Sequence, residues 1–173
     1  MDLVIRKISK AEIQEYRELR LCGLRDHPEA FGESADAFSE RSLADIEEKL
    51  HHSEQKNGFI LGGFIDGKMV GIVGLGRETG AKSEHRASLW GMYVLPPCRG
   101  TGIGRRLIEE LIAEAKRIPG LKQVHLAVTI GNDSAFKLYQ RLGFKIYGTD
   151  PRALRIDSKY YDEYLLALIF DSH

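Results

Sequence analysis

"PPCRGTGIGRRL", residues 96–107, sets three glycines at positions 100, 102 and 104 between an apolar stretch and a helix-forming run. A glycine inside a helix costs about 1 kcal/mol relative to alanine, so glycines where a helix should begin serve the backbone. They follow the strand-like "RASLWGMYVL" (86–95) and open a helix expected over residues 102–117. The backbone N–H groups of residues 100–104 then point at whatever occupies the helix N-terminus, which suits a phosphate. Arg99, Arg105 and Arg106 can add charge at its edge. The alternative is that the glycines only form a tight strand-to-helix turn. The spacing fits neither the dinucleotide fingerprint nor a phosphate loop ending in Gly-Lys-Ser/Thr.

Outward from this stretch, the chain alternates strands and helices without a repeat or linker. Residues 3–8 alternate apolar and polar groups, and "SKAEIQEYRELRLCGLR" (9–25) has Ser9 and Glu12 at capping-box spacing before a helical period. "DHPEAFGES" breaks that helix, and Ser42 caps another in "SLADIEEKLHH". Two strands, "GFILGGFID" and "KMVGIVGLGRE", flank Asp66-Gly67, a strong hairpin signal. "TGAKSEH" reads as a loop. Beyond the central helix come the strand "QVHLAVT", a helix over 133–141, and strands near 144–149 and 160–169. This order makes a mixed sheet with helices, of α/β (α+β) class, and residues 1–173 read as one domain.

Composition narrows the function. The 25 basic and 25 acidic side chains cancel, so no global field selects nucleic acid or an anionic membrane. The longest apolar runs fall short of the roughly 20 residues a bilayer requires, and the opening residues lack a secretory signal's apolar segment, so a cytoplasmic location is expected. Cys22 and Cys98 form neither a metal-spacing motif nor a disulfide framework. The six histidines are scattered, with only His51 and His52 adjacent, and no metal site is expected.

The segment "VLPPCRGTGIGRRLIEEL" resembles the acetyl-CoA binding motif of the GNAT superfamily of N-acetyltransferases, through Arg99, Gly102 and Gly104. "GNDSAFKLYQRLGF" (131–144) is similar to that family's second signature, an asparagine opening a helix that carries a tyrosine ahead of Gly-Phe. The resemblance covers nearly the whole chain. It implies a single mixed, mostly antiparallel central sheet with one splayed parallel pair, flanked by helices. Acetyl-CoA would enter as cosubstrate, its pyrophosphate on the backbone of Arg99, Gly100, Thr101, Gly102, Ile103, Gly104 and Arg105. Its pantetheine arm would lie along Met92, Tyr93 and Val94, beside Asn132, Ala135 and Tyr139. A bulge in the central strand would open the gap, since diverging parallel strands leave N–H and C=O groups to be satisfied. Asn132 reads as a helix cap or a cofactor contact, which are compatible. As side chains, Met92 and Val94 read as core.

By the same resemblance the reaction is direct attack by a primary amine in a ternary complex. The Val94 N–H would steady the oxyanion, and Tyr139, with an ordinary pKa near 10, would protonate the departing thiolate. From periodicity alone, Tyr139 is one more aromatic on a buried face. Glu29, Glu33, Glu84 and His85 are the candidate bases, each equally readable as surface charge. Residues 26–54 hold nine acidic side chains against Arg41 and Lys49, an acidic wall that would favour a cationic amine. The opposite wall is expected from "DPRALRIDSKYYDEY" (150–164). The acceptor is thus an amine of a small molecule, peptide or protein, with a homodimer also open. A non-catalytic acyl-CoA-binding sensor or interaction domain is the alternative.

Overall fold

The computed structural model describes residues 2–171. In chain order the elements are β1 (Leu3–Lys7), α1 (Ile13–Asp26), α2 (Ala35–Ser39), α3 (Leu43–Glu54), β2 (Phe59–Ile65), β3 (Lys68–Arg77) and β4 (Arg86–Val94). There follow α4 (Ile103–Arg117), β5 (Gln123–Thr129), α5 (Asp133–Arg141), β6 (Lys145–Ile156) and β7 (Lys159–Ile169). The strands form one sheet in the order β1-β2-β3-β4-β5-β7-β6. Every neighbouring pair is antiparallel except β4 and β5.

Helices cover both faces. On one face α4 buries Ile103, Leu107, Ile108, Leu111 and Ala115 at helical spacing. On the other, α1 contributes Ile13, Tyr16, Leu19 and Leu24, joined by Phe38 of α2 and by Ile46 and Leu50 of α3. Covered on both sides, β2 and β3 are buried almost end to end, which explains their unbroken apolar runs. The capping box read at Ser9 and Glu12 is present and opens a 3-10 turn leading into α1.

Two elements exceed the sequence reading. The break after α1 is followed by α2, a five-residue helix capped by Ser34, whose hydroxyl accepts from Ala37 N–H at 3.1 Å. Residues 150–164, read as a long arm that could bind a zwitterion or merely join two strands, are mostly ladder, so β6 and β7 form a long hairpin with a register shift between Asp150 and Leu154. That ribbon runs largely exposed; it lacks the apolar alternation that marks a half-buried strand.

The central irregularity lies in β4. Ile72 pairs with Tyr93 and Gly74 with Trp90, so Gly91 and Met92 together oppose the single residue Val73. This bulge has Gly91 at φ +65°, a conformation that non-glycine residues rarely adopt. Around it, Trp90 and Tyr93 pack on the α1 side and Met92 and Val94 on the α4 side. The β4–β5 ladder covers only Arg86–Ser88 against Gln123–His125, whereas β5 pairs with β7 over its whole length. The parallel pair therefore opens into a V.

Two stability measurements check these assignments. Gly91→Ala places a Cβ 2.8 Å from Arg20 Nη1 on a positive-φ backbone, and urea unfolding should show a loss of about 1–2 kcal/mol. The second concerns Glu12. Although partial burial works against its charge, hydrogen bonds from the Ser9 side chain and backbone and the Arg6 guanidinium hold its pKa at about 2, below the ordinary 4.5. A depressed carboxylate stabilises fully above its unfolded pKa and loses that contribution as pH falls through the folded one. The stability gap between wild type and Glu12→Gln should therefore shrink as pH is lowered from 4.5 towards 2.

Candidate functional site

The V between β4 and β5 is lined by backbone without strand partners. Leu95 N–H donates to Val70 C=O of β3 at 2.9 Å, so strand alternation turns the Val94 N–H and C=O away from β3 and towards the gap. The Val94 carbonyl accepts from Arg99 Nε at 2.9 Å; its N–H faces the opening. A 3-10 turn at Pro96–Cys98 then leads to Gly100 at φ +75° and to Gly102, the N-cap of α4, at φ +85°. No atom lies within 4 Å of a Cβ built at either glycine, so their backbone is open to a ligand. Gly104 differs: its Cβ would meet Met92 Cε at 2.9 Å, and its glycine serves close packing of α4 on β4.

At the start of α4 the N–H groups of Ile103, Gly104 and Arg105 precede the first intrahelical bond, from Arg106 N–H to Gly102 C=O at 3.1 Å. No acidic residue stands in this first turn to compete for them. Thr101 braces the turn by donating to Cys98 C=O at 2.5 Å. Arg105 extends along the helix to Glu109 at 2.8 Å.

The helix start and the V together bound a cavity of about 810 Å³. Met92, Tyr93, Val94, Arg99, Gly100, Gly102, Ile103, Gly104, Arg105, Asn132, Ala135 and Tyr139 all line it; Thr101 does not. Asn132 stands at the N-cap of α5 without a side-chain cap bond, so capping is not what its side chain does. Tyr139 is buried edge-on against Phe144, with ring centroids 5.8 Å apart. Burial pushes its phenol above the ordinary value of 10, so the hydroxyl keeps its proton at neutral pH.

The far wall brings together residues that sequence reading did not connect. Tyr93 donates to Asp26 Oδ2 at 2.7 Å, and burial together with Asp26 pushes its phenol up to about 12. The Arg99 guanidinium lies over the Tyr93 ring, 5.4 Å from its centroid, with Nη1 3.3 Å from His27 Nε2. His27 Nδ1 in turn stands 3.4 Å from Glu29 Oε1, and the Thr129 hydroxyl donates to the Glu29 carbonyl. These contacts join α1 and the turn after it to strands about 70–100 residues later. The one local sign was the helix break "DHPEAFGES".

The four candidate bases separate. Glu29 lines the cavity. Glu33 is held by Arg20 Nη2 at 3.0 Å and Arg41 Nη2 at 2.5 Å, away from it. Glu84 and His85 precede β4 at the closed end of the V, where the His85 carbonyl accepts from Lys122 N–H at 2.8 Å. At a strand rise of about 3.3 Å per residue, they lie roughly 30 Å along the chain from Val94. Of the nine acidic side chains in 26–54, Glu29 alone lines this cavity, so no acidic wall forms there. From the β6–β7 hairpin, Tyr161 reaches it. Among the described residues no cluster of three or more His, Cys, Asp or Glu could hold a metal ion, and no helix is long and apolar enough to cross a membrane.

Residues 18–144 match the family model described as acetyltransferase (GNAT) family. An acetyltransferase of Pectobacterium atrosepticum is 34% identical over 102 residues, or 58% of this chain; the match spans 65% of that protein's length. The crystal structure of a GNAT-family acetyltransferase from Streptococcus pneumoniae superposes with a TM-score of 0.88 at 26% identity, covering 98% of this chain and 100% of that one. A Salmonella typhimurium structure, described as a putative acetyltransferase with its cofactor acetyl-CoA, shares the fold at a TM-score of 0.88 and 20% identity, covering 100% of this chain and 96% of its own.

Proposed function

Because the chain belongs to the acetyltransferase (GNAT) family, we propose that it moves an acetyl group from acetyl-CoA to a primary amine by direct attack in a ternary complex. The observation that carries this reading is the V of unpaired β4 and β5 backbone ending on the open N-terminus of α4. An amide-bearing arm satisfies the strand edges, and a pyrophosphate satisfies the helix start. The two match the two halves of coenzyme A. The N–H groups of Ile103 to Arg105 would hold the pyrophosphate, with Gly100 and Gly102 leaving room for it.

The ammonium of the acceptor must first lose a proton. Glu29, in the cavity and 3.4 Å from His27, is the base we assign among the four candidates. The amine nitrogen then bonds to the thioester carbonyl carbon, and the Val94 N–H faces the oxygen that takes up charge. As the carbon–sulfur bond breaks, Tyr139 gives its proton to the sulfur, and the second amine proton passes from the nitrogen to solvent water. The products are the N-acetyl amine and free coenzyme A. Tyr139 regains a proton from solvent. A coenzyme-binding sensor would need no such phenol, so Tyr139 separates the two readings.

Gly102→Val fills open space at a positive-φ position and should weaken acetyl-CoA binding at least about tenfold, or 1.4 kcal/mol, with the far-UV spectrum retained. Titration calorimetry reads this directly; an unchanged affinity would remove the helix start from the binding site. Gly102 is a cleaner probe than Gly104, where a side chain meets Met92. For Tyr139→Phe we expect turnover to fall by about 10- to 100-fold, with coenzyme affinity nearly constant. Equal turnover in steady-state kinetics, with chemistry rate-limiting, would pass the acid's role to solvent.

A further inference from the structure

A second cavity, about 420 Å³, lies on the α1 side of β4, within the range of small-molecule sites. Its charge is opposite to that suggested by the acidic run of residues 26–54. Arg20, Arg41, Lys49, Lys56 and Arg77 line it, against the single acid Glu33. Aromatic and aliphatic side chains complete the walls, Trp90 and Phe38 among them.

Arg20 is the feature that points to a ligand. It is only 9% exposed, with its guanidinium between the Phe38 and Trp90 rings at 5.3 and 5.1 Å. Nη2 is paired with Glu33 at 3.0 Å, and Glu33 is shared with Arg41. Nη1 is buried without a hydrogen-bond partner among the described residues. A buried charged donor left unpaired is costly, so its persistence suggests that an acceptor arrives from outside. Nη1 lies against Gly91, where a Cβ would approach to 2.8 Å. It therefore sits on the α1 face of the bulge, at the residue preceding Met92 of the first cavity in the chain.

Building on the acetyl-transfer reading, we infer that the acceptor is an amine that also carries a carboxylate, and that Arg20 Nη1 holds the carboxylate. One free guanidinium nitrogen suits a singly charged carboxylate, whereas a dianionic phosphate calls for several donors. Lys49, exposed at the rim, adds attraction for the anion. Anchored at Nη1, the acceptor presents its amine at the bulge, beside the gap that would hold the thioester.

The test uses the full chain as wild type, Arg20→Lys and Lys49→Glu. The acceptor panel is leucine and phenylalanine, their amides, the corresponding decarboxylated amines, and spermidine. Acetylated product is followed by mass spectrometry with acetyl-CoA, and binding of leucine and phenylalanine alone is followed by ligand-observed NMR. We expect each free carboxylate to exceed its amide in kcat/KM by at least about tenfold. Arg20→Lys should erase that advantage, mainly through KM, and Lys49→Glu should reduce it, with acetyl-CoA affinity unchanged in both. If amides, decarboxylated amines or spermidine react as well as the carboxylates, the anion site is overturned, the transfer reading stands, and Nη1 meets only water. If leucine or phenylalanine binds in an Arg20-dependent way but no amine is acetylated, the site stands and the transfer reading falls. Neither binding nor transfer overturns both. Should Arg20→Lys fail to fold, the matched acceptor pairs on wild type and Lys49→Glu decide the question.

Discussion

The early end of the β4–β5 ladder is the constraint on which the rest of this structure depends. Three residue pairs join the strands, and beyond Ser88 and His125 they diverge. Backbone N–H and C=O groups in a protein interior require partners. A sheet that stops pairing in its middle must therefore offer those groups to water or to a ligand. The bulge at Gly91 and Met92 lies on the stretch of β4 past this ladder, and the positive φ of Gly91 accommodates it. The same bulge resets which β4 side chains face which helices, so Tyr93 reaches Asp26 while Met92 packs on Gly104.

The two helical layers then divide the work. On the α4 side, Leu107, Ile108 and Leu111 are fully buried and anchor the helix, so its N-terminus is held rigidly at the mouth of the V. Gly104 allows α4 to approach β4 closely, and Gly100 and Gly102 turn the chain so that unpaired N–H groups face outward. On the α1 side the layer carries buried and half-buried charge. Its ion pairs and aromatic contacts surround Arg20, Glu33 and Trp90 instead of sealing the strand.

Electrostatics inside the molecule do not follow the linear charge of its segments. The acidic run of residues 26–54 contributes Glu29 to one cavity and Glu33 to the other. The basic side chains of the second cavity come from α1, α3, the residues flanking these helices, and the end of β3. Helices α1 and α3 expose most of their carboxylates to solvent, where screening weakens them. Arg20, by contrast, is enclosed by aromatic rings, where a charge acts in a lower dielectric.

What the sequence determined by itself was local or periodic. The glycine spacing at 100, 102 and 104, the capping box at Ser9 and Glu12, the Asp66-Gly67 turn and the apolar periods all depend on neighbours a few residues apart, and all reappear in the fold. The mixed sheet with its splayed parallel pair was legible through the resemblance of two motifs, and the residues read from them for the coenzyme, apart from Thr101, line one cavity. Tertiary structure alone decided the rest. The contacts of Tyr93 with Asp26 and Arg99 with His27 cross about 70 residues, beyond the reach of any periodicity. The β6 extension carries little burial and so left no apolar pattern. Arg20, one more basic residue on a helix in the sequence, became a buried guanidinium with a free nitrogen only when Phe38, Trp90 and Gly91 closed around it. Burial is a property of the assembled chain, and it sets both the cost and the use of a charge.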